Sequence, residues 1–552
     1  MLMSIGRGLS PATSKPYQAS SKKLYLTANL PSEVAFERAS PATVTNNNGK
    51  LTEVTNNQPR FNHDGYGNRL GLMIEPALSN KCKNHNVNPI DTSGIITSGD
   101  ANGVLSIVND TTEIANAGLD LLCTNGNVYK ADNTLGTTSF TLYIDGKVGN
   151  TNPHTLSAYV RSPSSTGRVC RFYVGGGTMN IDGDQAWQRY AYENEAPNST
   201  GRKFTIIVDP GKELYFILNQ LEEYPIATSV IPIRGAAADR KADRPYIANI
   251  DQYEWFDSAQ GYFTCRYNLT ELLSSDSYIG VLHDGSSANT IGLRMDASTH
   301  VLRGYMRSSS SSQFTNANTD VHIPNICHVA GMRWDNAETS IISGGSVKTG
   351  TISTLPVTLN RLEIGARNGG SSPIHGHIQE IEIGKFNINV ASLGIRLQKP
   401  SDIIVAAGGQ SLIRGHFVSN ETGNEDGKQE HRSVIGNKLR ENSVVLVDGS
   451  SGASAACKTS NSTNYWWDLA TSSRGPAFDS FVQSINDAAI MPTYILWGQG
   501  EDDSHQIGIN TSKSDYKQAL EAIFTTMRTT YGDMPFFIQR IGRRSSFSNA
   551  GG

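Results

Sequence analysis

The sequence predicts a multidomain protein, with two β-sandwich domains followed by an α/β domain built on a parallel sheet. Three observations predict it. Between residues 80 and 395, short runs of β-branched and aromatic side chains alternate with turns rich in Gly and Asn, the punctuation of antiparallel sandwiches. Beyond residue 400 the runs become uniformly apolar, as at 402–407 and 492–497, which suits strands covered on both faces. Helical periodicity appears only there, at 478–489 and 512–531. A chain of 552 residues has room for three or four domains.

Composition agrees. A hydrophobic fraction of 38%, 53 glycines and 18% charge fit turn-rich β structure. The net charge of −4 supplies no broad positive field, which argues against a nucleic-acid partner. No apolar stretch approaches the length of a membrane span, and residues 1–7 lack the apolar run of a secretory signal, so Sec export is not expected. The six cysteines, Cys82, Cys123, Cys170, Cys265, Cys327 and Cys457, are scattered and form no Cys-x-x-Cys pair, so buried free thiols are expected.

Taken in order, residues 1–79 form a polar, turn-rich attachment segment. His63-Asp64 within it reads as a solvated turn rather than a metal site. Residues 80–248 form the first sandwich, of jelly-roll type, with strands expected at 139–144, 155–160 and 204–208; the charged stretch 239–245 reads as a linker. Residues 249–398 form the second sandwich, with strands at 261–267, 328–335, 361–365 and 376–383. His375 and His377 fall on one face of the last strand and offer only two ligands, so they read as structural. No metal and no cofactor is expected. In the last domain, 399–552, Ala519, Leu520, Ala522, Ile523 and Met527 recur at helical spacing behind capping residues at 512–515.

That last domain holds the candidate chemistry. The strand at 402–407 runs into Gly408-Gly409-Gln410-Ser411, where paired glycines turn the backbone sharply and leave the Ser411 hydroxyl at the strand's C-terminal edge. The strand at 492–497 ends in Gly498-Gln499-Gly500-Glu501, and the neutral amide of Gln499 can donate to an oxyanion without titrating. A third small-residue turn, 448–454, follows the strand expected at 443–447. A hydroxyl needs a proton acceptor to act as a nucleophile. The domain holds three histidines, His416, His431 and His505, and His505 is the best placed of them as a base.

Gly409-Gln410-Ser411, Ser451-Gly452-Ala453-Ser454, Trp466-Trp467-Asp468, Gly475-Pro476 and Trp497-x-Gln499-Gly500-Glu501-x-Asp503 occur in the order seen in SGNH hydrolases. This region resembles the branch of sialate O-acetylesterase-like carbohydrate esterases. The resemblance implies a flavodoxin-like α/β/α domain that removes acetyl groups from sugars, with Ser411 as nucleophile, Gly452 and Gln499 completing the oxyanion hole, and Glu501 and Asp503 shaping the turn. Leu412 stands where that family has asparagine, and the Asp-x-x-His motif that the family carries on a loop well beyond the tryptophan block has no counterpart there before Gly552, so a C-terminally incomplete domain is expected. Residues 36–43 and 59–77 resemble a segment of phage tail-fibre and head-fibre proteins, and 249–398 resembles a laminin-G or concanavalin-like sandwich. These resemblances imply a virion fibre or tailspike acting at the bacterial surface, homotrimeric, with other virion proteins and an acetylated surface polysaccharide as partners. The alternative is a structural, receptor-binding fibre whose esterase-like domain is inert.

Overall fold

The computed structural model describes the chain except residues 1–20, 66, 148, 164–166, 272, 274, 345, 386–387, 389–392, 394–402, 410–443, 452–453, 489–491, 499–505, 533–534 and 539–552. The chain divides into two compact units, one of Tyr25–Ala248 with Glu363–Gln379, the other of Met1–Leu24, Asn249–Leu362 and Glu380–Gly552.

The first unit is built around a β-sandwich of two five-stranded antiparallel sheets. One runs in the order Gln188–Glu195, His154–Arg161, Lys212–Glu222, Asn127–Asn133, Val104–Asn109, and the other Thr178–Asp182, Arg168–Tyr173, Lys203–Val208, Phe140–Lys147, Ile95–Gly99. Alternation along each strand decides what goes inside, because successive side chains point to opposite faces. Phe140, Leu142 and Ile144 from one strand, Leu156, Ala158 and Val160 from another, and Phe204, Ile206 and Val208 from a third meet in one core. Directly opposed Tyr129 and Phe216 stack with ring centroids 5.0 Å apart, and Phe172 meets Phe204 edge-on at 5.0 Å. Each such fully buried side chain stabilises the unit by ~1.5–3 kcal/mol relative to exposure. The sequence offered no helix in this region, yet a short one, Thr111–Asn116, lies over the outer face of the first sheet. Its Ile114 joins Leu119, Leu122, Val128 and Ile217 in a second apolar cluster.

The stretch 239–245 is not a linker. It contributes to the strands Ala238–Arg240 and Arg244–Ala248, and Arg240 and Asp243 are 1% and 0% exposed. Charge density signals a solvated connection only when nothing neutralises it; here partners distant in sequence do.

In the second unit, Ser346–Thr351, Glu338–Ser343, Cys327–Trp334 and Gly261–Leu269 form one antiparallel sheet, and Ser277–His283, Thr290–Met295, Val301–Ser308 and Ser311–Val321 form another. The two pack face to face so closely that a Cβ on Gly280 would sit 2.5 Å from the Phe263 ring, and one on Gly304 3.2 Å from Ile341. This is the second β-sandwich.

The same unit carries a four-stranded, wholly parallel sheet. Ile403–Gly409, Val444–Asp448, Tyr494–Gly498 and Phe536–Ile538 are, in chain order, strands 1 to 4, and they lie side by side in the order 2-1-3-4. Two helices cover it. Pro476–Ala488 buries Ala477, Phe478, Phe481, Ile485 and Ala488, and Lys513–Tyr531 buries Ala519, Ile523 and Met527, the stripes that 3.6 residues per turn requires. The second helix begins as its sequence predicts: Ser512 accepts from the Asp515 N–H at 3.0 Å, and the Asp515 carboxylate accepts from the Ser512 N–H at 3.2 Å. Ala406, Ile495, Trp497, Trp466 and both helix stripes form a single core.

Candidate functional site

The geometry that bears on chemistry is at the C-terminal rim of the parallel sheet. Gly409 is the register partner of Gly498, and Ala407 is the partner of Asp448. The Gly449 N–H closes the rim by donating to the Ala407 carbonyl at 2.9 Å. Three strands therefore end together, and the order 2-1-3-4 puts the reversal of connection between Ile403–Gly409 and Tyr494–Gly498. A crevice opens outside the carboxyl ends of an open parallel sheet at that reversal, because the chain leaves the two strands in opposite directions. Gly408 is closely packed there, and a Cβ would lie 3.0 Å from the Trp497 ring. Ser411, Gly452, Gln499, Glu501, Asp503 and His505 themselves lie outside the described residues, as do His416 and His431.

The flanks of the third turn are described, and they show what the tryptophan block does locally. Ser454 is fully buried; its Oγ donates to the Ser451 carbonyl at 2.7 Å and accepts from Trp466 Nε1 at 2.8 Å. Asn464 closes the other side, its carbonyl accepting from the Ala455 N–H at 3.0 Å and its Oδ1 from Ser451 Oγ at 3.2 Å. Trp466 is thus a strut under the turn rather than a ligand platform, and it packs edge-on against Trp497 at 4.6 Å. Asp468 takes the Lys458 ammonium at 2.7 Å, and that hydrogen bond holds its carboxyl below the usual range. Gly475 admits no side chain, because a Cβ would lie 2.2 Å from the Tyr465 carbonyl oxygen. Pro476 then starts its helix where a missing N–H costs nothing. The indole N–H of Trp497 is buried with no hydrogen-bond partner among the described residues.

Elsewhere the structure sorts the other sequence candidates. His375 Nε2 lies 3.1 Å from Glu75 Oε1, and His377 Nε2 lies 3.0 Å from Asn62 Nδ2. Burial, reinforced by the neighbouring His375, pushes the His377 ring down to about 3, so it stays neutral as a structural group. Asp64 is buried and not solvated, its carboxylate accepting from the Asn68 backbone and side chain at 2.9 and 3.0 Å; His63 Nδ1 reaches the Thr45 carbonyl at 3.3 Å. All six cysteines are free and buried. Burial pushes the thiols of Cys82 and Cys123 up to about 12. Among the described residues no group of three His, Cys, Asp or Glu side chains is arranged to hold a metal ion, and no helix is long and apolar enough to cross a membrane.

Sequence reasoning missed a buried ionic cluster in the first unit. Arg38, Arg60 and Arg240 converge on Glu75 and Asp243: Arg38 Nη1 to Asp243 at 3.0 Å, Arg60 Nη1 and Arg240 Nη1 to Glu75 at 2.7 and 2.9 Å, with Arg60 Nη2 also on Asp243. Burial works to raise the Glu75 pKa, but Arg240 and Arg60 outweigh it and hold the carboxyl well below its ordinary value. No local signal announces this cluster, because its members come from segments up to 205 residues apart.

No protein-family model matches the chain. Solved structures similar to parts of it include the CBM40 module of the Ruminococcus gnavus IT-sialidase bound to α2,3-sialyllactose, at 13% identity over 26% of this chain and 83% of that one, TM-score 0.23. Domain 4 of AbnA, a GH43 extracellular arabinanase from Geobacillus stearothermophilus, in complex with arabinotriose, matches at 13% identity over 28% of this chain and 73% of that one, TM-score 0.24. The NanB sialidase from Streptococcus pneumoniae matches at 12% identity over 29% and 27%, TM-score 0.24. These neighbours are a carbohydrate-binding module, a domain of an arabinanase and a sialidase, and likenesses of this size assign no residue here.

Proposed function

We propose that the chain is a glycan-binding protein whose parallel-sheet domain is a serine esterase of the SGNH type, acting on O-acetylated polysaccharide. The observation that carries this reading is the parallel pairing of Gly409 with Gly498, which brings the strands leading into Ser411 and Gln499 side by side at the reversal of strand order. In this reading Ser411 Oγ attacks the acetyl carbonyl while His505 takes its proton. The Gly452 N–H and the Gln499 amide hold the oxyanion, and Glu501 and Asp503 shape the turn that presents the amide. The tetrahedral intermediate collapses with departure of the sugar oxygen, which recovers the proton from His505. Water, deprotonated by the same ring, then releases acetate from the acyl-serine. The two β-sandwiches hold the polymer during these steps. The stretches 36–43 and 59–77 support placing the protein on a virion fibre, as a homotrimer among other virion proteins, at the bacterial surface.

The test is acetate release from acetylated xylan and from an aryl acetate by the complete chain. Ser411→Ala should reduce release by more than about a thousandfold, as loss of a nucleophile does. Release unchanged by that substitution sinks the assignment. A chain that binds polysaccharide but releases no acetate would be the inert, receptor-binding fibre instead.

A further inference from the structure

One open concavity on the first unit, of about 630 Å³, gathers Lys81, Lys83 and Lys147 with Asp145, Asp239 and Ser79 at its wall. The fold builds it deliberately at one edge of the sandwich. Residues 81–83 are fixed by the Lys81 N–H donating to the Leu221 carbonyl at 2.8 Å and the Lys83 N–H donating to the Asp145 carbonyl at 2.7 Å. The strand Phe140–Lys147 can approach this segment only because residue 146 is glycine: at φ +145°, a Cβ would lie 2.2 Å from the Lys81 carbonyl oxygen. Its pairing with Lys203–Val208 shifts register between Ile144 and Lys147, an irregularity that re-aims the terminal side chain.

The charges there do not cancel. Lys81 reaches Glu223 at 3.4 Å, Lys83 and Lys203 both reach Asp145 at 3.8 Å, Lys241 reaches Asp239 at 3.7 Å, and Lys147 has no ion pair among the described residues. Of the groups lining the concavity, three ammoniums thus face two carboxylates, a local excess of one positive charge on a chain whose net charge is −4. The pairs are long and Lys83 is more than half exposed, so they leave the lysines available to another anion.

The lining also selects the kind of anion. The described residues that line the concavity are charged or small, with no aromatic ring among them. Asp145 and Asp239 can accept hydrogen bonds from the several hydroxyls that a sugar ring carries beside its charge, more than a polyol phosphate offers per unit. We propose that this concavity binds a carboxylate-bearing sugar residue of the uronic acid kind, within an acidic polysaccharide; the inference rests on the glycan-binding half of the function proposed above and names its ligand.

The complete chain would be run through native gels containing polygalacturonate, polyglycerol phosphate or dextran, with mobility measured relative to a polymer-free gel. Polygalacturonate should retard the wild type, and K81Q/K83Q/K147Q should weaken that retardation at least tenfold, while a charge-matched control, K348Q/K513Q/K517Q, keeps it. None of the six lysines is buried, and an unchanged Tm certifies that the variants fold. Equal loss in both triple variants, retardation that survives K81Q/K83Q/K147Q, or stronger retardation by polyglycerol phosphate would overturn the proposal. Retardation by dextran that both variants retain would leave glycan binding standing while removing this site, and acetate release from the same preparations reports on the esterase separately.

Discussion

Asp243→Asn tests how the buried ionic cluster holds the first unit together. Asp243 accepts from Arg38 at 3.0 Å, from Arg60 through both Nε and Nη2, and from the Glu75 backbone N–H at 3.1 Å, with all the side chains involved fully buried. Neutralising it takes from Arg38 its carboxylate and leaves Arg60 and Arg240 sharing Glu75, and the new amide turns two donor hydrogens toward groups that can only donate. Breaking a buried pair by removing one partner costs about 3–5 kcal/mol, because the remaining charge stays desolvated. For a unit of this size each 1 kcal/mol moves Tm by roughly 2–4 °C, so the midpoint should fall by about 6–20 °C. Differential scanning calorimetry and near-UV circular dichroism on the complete chain would record it. The combined replacement R38M/R60M/D243L should cost less than D243N alone, since it removes the charges as a set. A Tm change below about 2 °C for D243N would refute the reasoning, because it would mean that water reaches the cluster.

His377 is held to about 3 in the folded chain but ionises near 6.5 when unfolded, so the unfolded chain binds the extra proton between those values; stability falls as pH drops from about 6.5 toward 3, and His377→Asn should remove about 1.4 kcal/mol per pH unit of that slope. Parallel curves of Tm against pH for the two proteins would contradict this. The six thiols should resist a disulfide reagent at pH 8 until denaturant unfolds the chain, because all are buried and Cys82 and Cys123 are raised to about 12; prompt labelling of several in the native state would count against the packing described. Ser454→Ala should destabilise the parallel-sheet domain by about 1–3 kcal/mol, since it strands the buried Trp466 indole N–H, and a urea midpoint matching wild type would show that another acceptor takes over.

Much of the architecture was legible in the residues because it depends on short-range periodicity. The alternation in Phe140–Lys147 and His154–Arg161, the 3.6-residue stripe and capping box of Lys513–Tyr531, and the isolation of the six cysteines each follow from neighbours within a few positions. The candidate site was legible in a weaker sense. Gly408-Gly409-Gln410-Ser411 and Trp497-Gly498-Gln499 could be read as strand-end turns, but nothing local requires two strands so far apart in the chain to be neighbours.

That adjacency, Gly409 beside Gly498, is a decision of the tertiary structure, reached because Ala406, Ile495 and Trp497 bury together under both helices. The same holds for residues 239–245, which alone look like a hydrated connection but in the fold bury Arg240 and Asp243, because Glu75 arrives to neutralise the first and Arg38 and Arg60 the second. Local sequence determined which segments are strands and helices and which faces are apolar. Which strands become neighbours, and which charges can leave water, were settled only by long-range burial, where the free energy belongs to pairs and not to single residues.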